Sequence, residues 1–245
     1  MGEIQKHIRC REGDVGKYVL IPGDPGRARR IAERLKNAKQ IASNREFVVF
    51  TGELNGITVS VCSTGIGGPS ASIAVEELSR IGAVYFIRVG SAGGRQKDMP
   101  IGSLVIATAA YRGDGTSLAY APLPFPAVAD FKVTTALVRA CENLGYDYYM
   151  GIVYSRDAYY KQDKELNEFL RDAGVVAAEQ ECATIFTVGS VKHLHVGAIL
   201  ATDSNIWLEK QPTLSEKEEM FKKGEKKAID VALEAIKILS KEFEA

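Results

Sequence analysis

The amino-acid sequence predicts a single α/β domain that spans residues 1–245. Segments rich in β-branched and aromatic residues, which are typical of buried strands, alternate along the chain with segments of helical periodicity. No repeat, low-complexity tract or interdomain linker interrupts this alternation. A chain of 245 residues can bury one large core, so a second domain is not required.

Composition and charge exclude several classes of protein. The 31 Lys and Arg residues balance the 31 Asp and Glu residues, so we expect no basic surface for nucleic acid or an anionic membrane. No apolar run approaches the ~20 residues of a membrane helix, and the charged N-terminus lacks the apolar core of a signal peptide. The four cysteines lack the CxxC spacing of a zinc site. We therefore expect a cytoplasmic protein with no nucleic-acid, membrane or metal partner.

The first element is a predicted strand at residues 18–21, followed by the loop GDPGR (23–27) and a helix at 28–35. Free N–H groups at a helix N-terminus favour an anion, and Arg27 lies just inside this one. The loop is not a Walker A motif because no Gly-Lys-Ser/Thr follows. It is either part of an anion site or a tight turn that needs glycine.

Two strands at residues 47–52 and 57–63 form a predicted hairpin. Asn55-Gly56 between them is typical of a type I′ turn. The charged triplet Asn44-Arg45-Glu46 precedes the hairpin and is interpreted, from the residues alone, as a solvated strand end.

Residues 64–70 (TGIGGPS) approach the dinucleotide-binding motif GxGxxG. Ser70 replaces the last glycine and no acidic residue follows at the expected strand end, so we exclude dinucleotide binding. Pro69 instead suits the first turn of a helix that continues to about Arg80.

The most informative stretch is a buried strand that carries a guanidinium. Residues 83–94 (AVYFIRVGSAGG) begin as a β-branched and aromatic run and end in glycines around Ser91. A buried Arg88 needs an anionic partner. Because ligands of open α/β sheets bind at the carboxyl ends of strands, the stretch predicts an anion site, and phosphate is the anion we expect. The alternative is an ordinary strand-to-loop turn in which Arg88 pairs with a carboxylate of the core.

The next elements are a strand at 103–110, a helix at 133–144, a strand at 149–155 and a polar helix at 164–173. Residues 113–130 are rich in Gly, Pro and aromatic side chains. We expect this long excursion to cover a site rather than cross the core.

Two carboxylates mark a predicted strand-to-helix junction. After a short strand at 175–178, Glu179 and Glu181 flank Gln180 at the head of a helix that ends near Val191. Internal carboxylates would need hydroxyl or cationic partners. The alternative is that both are solvated and are favoured by the helix dipole.

The last predicted strand, residues 195–202, ends in Asp203. Ser215 and Glu218 form a predicted capping box for a long C-terminal helix. The buried stripe of that helix consists of Ile229, Leu233, Ile236 and Leu239.

Two other chemistries are set aside. Ser91 lacks the GxSxG elbow of a Ser-His-Asp hydrolase. If His193 and His195 share one strand face they could bind a metal, but no third ligand lies nearby in the sequence. His7 lies in a charged N-terminal arm, where a histidine is usually a surface residue.

Six segments in this order resemble the hexameric nucleoside phosphorylases, the family of bacterial-type purine nucleoside phosphorylase, uridine phosphorylase and archaeal methylthioadenosine phosphorylase. The segments are GDPGR, the 44–46 triplet, TGIG at 64–67, RVGSAG at 88–93, residues 179–184 and Asp203. The resemblance runs from about His7 to the C-terminal helix. Each segment is weak alone, but six in the right order are specific.

The resemblance implies a domain built around a distorted mixed β-sheet flanked by helices. It also implies a homohexamer, a trimer of dimers, in which neighbouring subunits share active sites. Phosphate would then be held by Gly23, Arg27, Arg88 and Ser91, with Arg45 contributed by a neighbouring subunit.

The sugar and the base would occupy the rest of the implied site. Glu181, with Gln180 beside it, would hold the ribose hydroxyls, and His7 of a neighbouring subunit would meet the 5′ end. The base would lie against Tyr159, Ala92 and Gly93.

The implied reaction is phosphorolysis of a purine nucleoside (adenosine, inosine, guanosine or 5′-methylthioadenosine), with phosphate as co-substrate and no cofactor. Bound phosphate would supply both the nucleophile and a counter-charge for the sugar. Asp203 would protonate the departing purine at N7, which requires a pKa raised by burial or a proton relayed from a cation.

Three departures from the family pattern bear on the substrate. Gln180 stands where the family usually has Met. The Gln-x-Arg pair with which uridine enzymes read uracil is absent after Tyr160, and this absence together with Asp203 favours purines. In place of the Arg that assists the acid in purine enzymes, the following segment offers only Lys217, Lys222 and Lys223.

Three alternatives remain beside the purine assignment. The first is a uridine phosphorylase. The second is a nucleosidase of the same fold, which would use water and would not need Arg27, Arg45 and Arg88. The third is a non-catalytic nucleoside-binding protein, which would keep Glu181 but would have no use for Asp203.

Overall fold

The computed structural model describes residues 2–243, in which a mixed ten-stranded β-sheet carries helices on both faces. The strands are β1 (Tyr18–Leu20), β2 (Lys36–Asn44), β3 (Phe47–Leu54), β4 (Ile57–Cys62), β5 (Tyr85–Gly94), β6 (Leu104–Gly113), β7 (Ala127–Val128), β8 (Tyr148–Arg156), β9 (Ala177–Glu179) and β10 (His195–Asn205). The helices are α1 (Pro25–Ala32), α2 (Gly68–Arg80), α3 (Thr116–Tyr120), α4 (Phe131–Leu144), α5 (Lys164–Asp172), α6 (Cys182–Lys192) and α7 (Leu214–Glu242).

Five strands of the sheet close into a ring. The ring runs from β5 through β10, β6 and β8 to β9, which pairs back with β5. Parallel and antiparallel pairings mix within it, and the sheet continues from β5 through β1, β4 and β3 to β2. This closed arrangement is the distorted mixed sheet that the resemblance implied, so the predicted α/β fold class is confirmed.

The strand β5 is the centre of this topology because it hydrogen-bonds to β1, β10 and β9. The strands β1, β5 and β10 are parallel, so their carboxyl ends meet at one edge of the sheet. Loops and side chains that follow these strands are thereby brought together, as in other α/β sheets.

The core consists of two layers, one on each face of the sheet. Successive residues of β5 point to opposite faces, so that Phe86 packs in the layer of α2 and α6 while Tyr85 and Ile87 pack in the layer of α1, α4 and α7. The predicted stripe of the C-terminal helix is buried in the second layer.

The predicted hairpin is confirmed, and its neighbourhood contains a strand that the sequence analysis missed. Asn55 and Gly56 have positive φ angles of 51° and 84°, as a type I′ turn requires. The missed strand is β2, whose side chains are largely exposed and so show no apolar alternation. Arg45 therefore lies in the turn between β2 and β3 and not at a free strand end.

The starts of α1, α4 and α7 differ from the prediction, and α4 begins at Phe131, two residues earlier than predicted. The helix α1 begins three residues earlier, at Pro25, because the Asp24 side chain accepts hydrogen bonds from the N–H groups of Gly26 and Arg27 at 2.8 Å each. The capping box of α7 is formed by Thr213 and Glu216. The predicted pair, Ser215 and Glu218, follows the same sequence pattern two residues later but lies inside the helix.

The predicted excursion at residues 113–130 contains the short helix α3 and the strand β7, which pairs with β6. The segment therefore packs on the sheet and on α6, whereas the sequence analysis expected a loop that covers a site.

Within residues 2–243, no helix combines the length and apolar character needed to cross a membrane.

All four cysteines are buried and unpaired. Cys10 and Cys62 lie in the layer of α2 and α6, and Cys141 lies in the opposite layer. Burial raises the pKa of the Cys10 and Cys141 thiols to about 12.

Candidate active site

The carboxyl ends of β1, β5 and β10 open into a cavity of about 1140 Å³. The segment after β8 and the β9–α6 junction complete its wall. Every site residue predicted from the sequence lines this cavity except Arg45 and His7. A smaller cavity of about 440 Å³, beside His195 and Asp130, takes none of the predicted residues.

Arg27 is buried in the cavity wall and is held there by two contacts. Its Nε donates to Glu225 of α7 at 2.7 Å, and its Nη1 donates to the Val89 carbonyl at 3.1 Å. Arg30 shares the same carboxylate, with Nε 2.7 Å from Glu225 Oε1. Within residues 2–243 the Nη2 of Arg27 donates no hydrogen bond, which leaves it available to an anion in the cavity.

Arg88 is fully buried and pairs with both carboxylates of the β9–α6 junction. Its Nε lies 3.2 Å from Glu179 Oε2, close enough to pair but without hydrogen-bond geometry, and its Nη2 contacts Glu181. Burial disfavours the charged guanidinium, but Glu181 and Glu179 outweigh it and raise the pKa of Arg88. The structure confirms the pairing of Arg88 with carboxylates of the core that the alternative interpretation predicted, and the same residue lines the cavity.

Glu179 is a structural anchor and not the solvated carboxylate of the alternative interpretation. Its side chain is 0% exposed and accepts hydrogen bonds from Ser155 Oγ at 2.5 Å and from the N–H groups of Glu181 and Cys182 at 2.8 and 2.9 Å. These bonds satisfy the free N–H groups at the start of α6, where helices have no internal acceptors. Ser155 also accepts from the Ala183 N–H, which ties β8 to the same junction.

Glu181 joins the junction to the start of α2. Its Oε1 accepts from the N–H of Gly67 at 2.5 Å, and Gly67 reaches this position with a φ of 97°. Burial raises the pKa of Glu181 although the Arg88 charge opposes the shift. Gln180 between the two glutamates also lines the cavity, and its Nε2 donates to the Asp157 carbonyl at 3.1 Å.

Asp203 enters the cavity because β10 has a bulge. Thr202 pairs with Ala92 and Ser204 with Gly93, so Asp203 between them is an extra residue with no partner on β5. Burial raises the pKa of Asp203, and the hydrogen bond from Ser204 Oγ at 2.8 Å only partly offsets this effect. A carboxyl in this environment holds a proton more readily than a solvated aspartate.

Sequence analysis missed Arg95 and Arg156, which also line the cavity. Arg95 directly follows β5, and its position at the end of a buried strand is the same signal that identified Arg88. Lys217, Lys222 and Lys223, the only basic residues expected near Asp203, do not line the cavity. Arg95 is therefore a basic residue near Asp203 that the chain supplies from a different segment.

An aromatic wall follows β8. Tyr159 is about half exposed, and the Arg156 guanidinium lies 5.9 Å from its ring centroid. Tyr160 packs edge-on against Tyr159 with 5.0 Å between the ring centroids. Gln162, whose Nε2 donates to the Tyr159 carbonyl at 3.4 Å, lines the cavity as well.

His7 and Arg45 lie together outside the cavity. The His7 ring Nδ1 is 2.6 Å from Glu77 Oε1, and the His7 carbonyl accepts from Asn44 Nδ2 at 2.7 Å. His7 is therefore anchored and partly buried, unlike the surface residue expected of a charged arm. Arg45 next to Asn44 is exposed.

The other two histidines also lie outside the cavity of about 1140 Å³. His193 ends α6 in the left-handed region, with a φ of 56°. His195 Nδ1 lies 2.8 Å from Asp130 Oδ2, and its ring stacks on Tyr85. Within the part of the chain that the structure describes, no group of three or more metal-ligating side chains is clustered.

The sequence and the fold are similar to those of known nucleoside phosphorylases. Residues 17–237 match the family model of the phosphorylase superfamily. The chain is 43% identical to a uridine phosphorylase of Thermococcus kodakarensis, over 97% of this chain and 87% of the relative. It is 39% identical to a guanosine phosphorylase of Halorubrum lacusprofundi, over 96% and 99% of the two chains. The crystal structure of a uridine phosphorylase from Vibrio fischeri ES114 superposes with a TM-score of 0.90 at 38% identity, covering 97% of this chain and 98% of that one.

Glu179 and Glu181 accept different numbers of hydrogen bonds, so removing each side chain should lower the stability by a different amount. Each variant breaks one ion pair of Arg88 and leaves the other, so the difference lies in the hydrogen bonds that are lost. We expect Glu179→Ala to lower the free energy of unfolding by about 3–5 kcal/mol, because it leaves Ser155 and the N–H groups of Glu181 and Cys182 without their acceptor. Glu181→Ala leaves one N–H group, that of Gly67, without its acceptor and should cost about 1–3 kcal/mol. Urea unfolding at one protein concentration measures both. Equal losses, or a larger loss in Glu181→Ala, would contradict the anchoring role of Glu179.

Proposed function

Since the chain belongs to the phosphorylase superfamily and is an enzyme of the nucleoside phosphorylase type, a pentosyltransferase, we propose that it cleaves uridine with inorganic phosphate. The products are uracil and ribose 1-phosphate, and no cofactor takes part. The observation that carries the proposal is one cavity in which the buried guanidiniums of Arg27 and Arg88 lie with the buried carboxylate of Glu181.

Phosphate binding is assigned to the Arg27 side of the cavity. The Nη2 of Arg27, the hydroxyl of Ser91 and the loop at Gly23 offer donors there. Arg88 adds a second fixed positive charge, which its two carboxylates hold in place. Fixed donors of this kind suit a dianion, since they need no rearrangement when it binds.

Ribose binding is assigned to Glu181. The carboxylate is already oriented by Gly67 and Arg88, so it can accept hydrogen bonds from two neighbouring sugar hydroxyls without a loss of side-chain freedom. Such an oriented acceptor fixes the sugar carbon that reacts, which is the main contribution that positioning can make to rate.

In the proposed reaction, phosphate displaces the base from C1′ of the sugar in a single step. A phosphate oxygen forms a bond to C1′ of the sugar while the bond from C1′ to the base nitrogen breaks, and the electron pair leaves with the base. Positive charge develops on the sugar and is stabilised by the adjacent phosphate. Hydrogen phosphate loses one proton when it becomes the sugar phosphate, and the released base gains one, so the protons balance.

The choice of uridine departs from the purine expectation. Similarity to uridine phosphorylases over nearly the whole chain supports it, and the amide of Gln162 lines the cavity although the Gln-x-Arg pair is absent. Guanosine is a second candidate, favoured by Asp203 with its raised pKa and by the similar guanosine phosphorylase. Methylthioadenosine has no comparable support.

The position of His7 and Arg45 supports a shared active site. Both lie outside the cavity of their own chain, on one surface joined by the Asn44–His7 hydrogen bond. We assign Arg45 to the phosphate and His7 to the 5′ end of the sugar in a neighbouring subunit of a homohexamer.

Phosphate dependence tests the proposed co-substrate. With uridine, uracil release should depend on inorganic phosphate, and the sugar product should be ribose 1-phosphate. Chromatography of reactions with and without phosphate, over a panel of uridine, guanosine, inosine, adenosine and methylthioadenosine, measures this. Equal rates without phosphate, yielding free ribose, would overturn the phosphorylase proposal in favour of a nucleosidase.

The second prediction concerns Asp203 and the guanosine candidate. If Asp203 protonates N7, kcat/KM for guanosine should fall as the pH rises through the raised pKa of Asp203, since the carboxyl loses its proton there. Asp203→Asn should remove that pH limb and lower kcat/KM for guanosine by about 10²–10⁴-fold.

The matched substrate is 7-methylguanosine, which already carries the positive charge that protonation would create, so the same variant should retain most of its activity on it. Asp172→Asn, at an exposed position of α5, serves as the control variant. Similar losses on guanosine and 7-methylguanosine would remove Asp203 from the proton transfer.

The third prediction concerns subunit sharing. Arg45→Ala and Glu181→Ala should each be nearly inactive alone, because each removes one contact to the substrates. Mixing the two proteins under conditions of subunit exchange should restore activity at sites that combine an intact Arg45 with an intact Glu181. No recovery after exchange has been verified by mass spectrometry would argue against a shared site.

A further inference from the structure

Arg95 is a buried cation without an ion-pair partner among the residues that the structure describes. The residue is 3% exposed, and within residues 2–243 it forms no ion pair. Its Nε is buried with no hydrogen-bond partner, and its Nη1 makes a single long bond of 3.3 Å to the Gly94 carbonyl. Arg27 and Arg88 in the same cavity are both paired with glutamates, so Arg95 is chemically different from them.

The guanidinium lies at the edge of the cavity where Asp203 enters. An added Cβ on Gly93 would stand 3.2 Å from Arg95 Nη1 and 3.1 Å from Ser204 Oγ, so the glycine leaves room for both. Burial, with the nearby Arg156 adding to it, lowers the pKa of Arg95 to about 10. The nearby Asp203 carboxylate offsets this effect only in part, and it forms no ion pair with the guanidinium.

Such a group is stabilised by a ligand that accepts hydrogen bonds and carries negative charge. Arginine has five N–H donors and no acceptor, so it favours carbonyl oxygens and rejects amino groups. Uracil and guanine present a carbonyl oxygen at the ring position where cytosine and adenine carry an amino group. Both bases therefore match Arg95.

We propose that Arg95 contacts the nucleobase and donates hydrogen bonds to a carbonyl oxygen, which makes the enzyme selective for oxo bases. The inference rests on the proposed nucleoside phosphorolysis and names the residue that would set its base specificity. It also links the two candidate substrates, uridine and guanosine, through one contact.

The same contact assists bond cleavage. When the bond between C1′ and the base nitrogen breaks, the electron pair that leaves with the base is delocalised onto its carbonyl oxygens. A buried guanidinium at such an oxygen stabilises this charge as it develops. Arg95 would thus lower the barrier most for bases that are poor leaving groups.

The test compares two substrates that differ in leaving-group quality. Arg95→Met should lower kcat/KM for uridine by about 10²–10³-fold, as for loss of one oxyanion donor. For 5-fluorouridine, whose base carries negative charge more readily, the loss should be several-fold smaller. The KM for phosphate should not change. Arg171→Met removes an arginine that stacks on Trp207 and does not line the cavity, so it should leave both substrates unaffected.

A purely structural role for Arg95 predicts equal losses on uridine and 5-fluorouridine, and that result would overturn the inference. Circular dichroism checks folding of the variant, and Arg95→Gln is the second variant if Arg95→Met does not fold. Because Gln keeps a donor without the charge, its loss should be intermediate.

A binding measurement separates this inference from the proposed function. Calorimetry with free uracil, guanine, cytosine and adenine in the presence of phosphate should show binding of the oxo bases only, and Arg95→Met should weaken it. Absence of uracil release by the wild type would defeat the uridine proposal and leave this measurement intact. Equal binding of oxo and amino bases by the wild type would defeat the Arg95 inference alone.

Discussion

The buried cluster of Arg88, Glu179 and Glu181 is the interaction on which the site depends. Arg88 belongs to β5, and the two glutamates belong to the β9–α6 junction, which Ser155 ties to β8. The cluster therefore links β5 to the β9–α6 junction and, through Ser155, to β8. Desolvation of three charges is costly, and the hydrogen bonds from backbone N–H groups offset part of that cost. The same bonds aim the Glu181 carboxylate before any substrate arrives.

Much of this arrangement could be predicted because each part has a local signal. A guanidinium in an apolar strand, as at Arg88, predicts an anionic partner because burial of an unpaired charge is unfavourable. For the same reason, Glu179 and Glu181 at a strand-to-helix junction predict polar or cationic partners. The sequence does not predict their separate roles, because only the fold brings Ser155 to Glu179 and Gly67 to Glu181. Asp203 is visible as a polar strand end, while the bulge that turns it inward depends on pairing with β5.

Other parts of the structure lack a signal that local pattern can carry. The strand β2 has exposed side chains on both faces, so its pairing with β3 comes from the hairpin and not from apolar alternation. Arg95 carried the same signal as Arg88 but stood one residue beyond the glycines, where a solvated turn is the simpler interpretation. The substrate was harder still, since an absent Gln-x-Arg pair describes one way of reading uracil and does not exclude another.

The reactivity of the four buried thiols can be used to measure local opening of the structure. A thiol with a raised pKa is almost entirely protonated near neutral pH, and the protonated form does not react with alkylating reagents. Cys10 and Cys62 on one face of the sheet, and Cys141 on the other, become reactive only when their layer opens. The rate at which each cysteine is alkylated thus reports how often that layer exchanges with an open state. Cys182 directly follows Glu181 at the start of α6 and does not line the cavity, so its alkylation rate reports opening of the structure at the glutamate cluster.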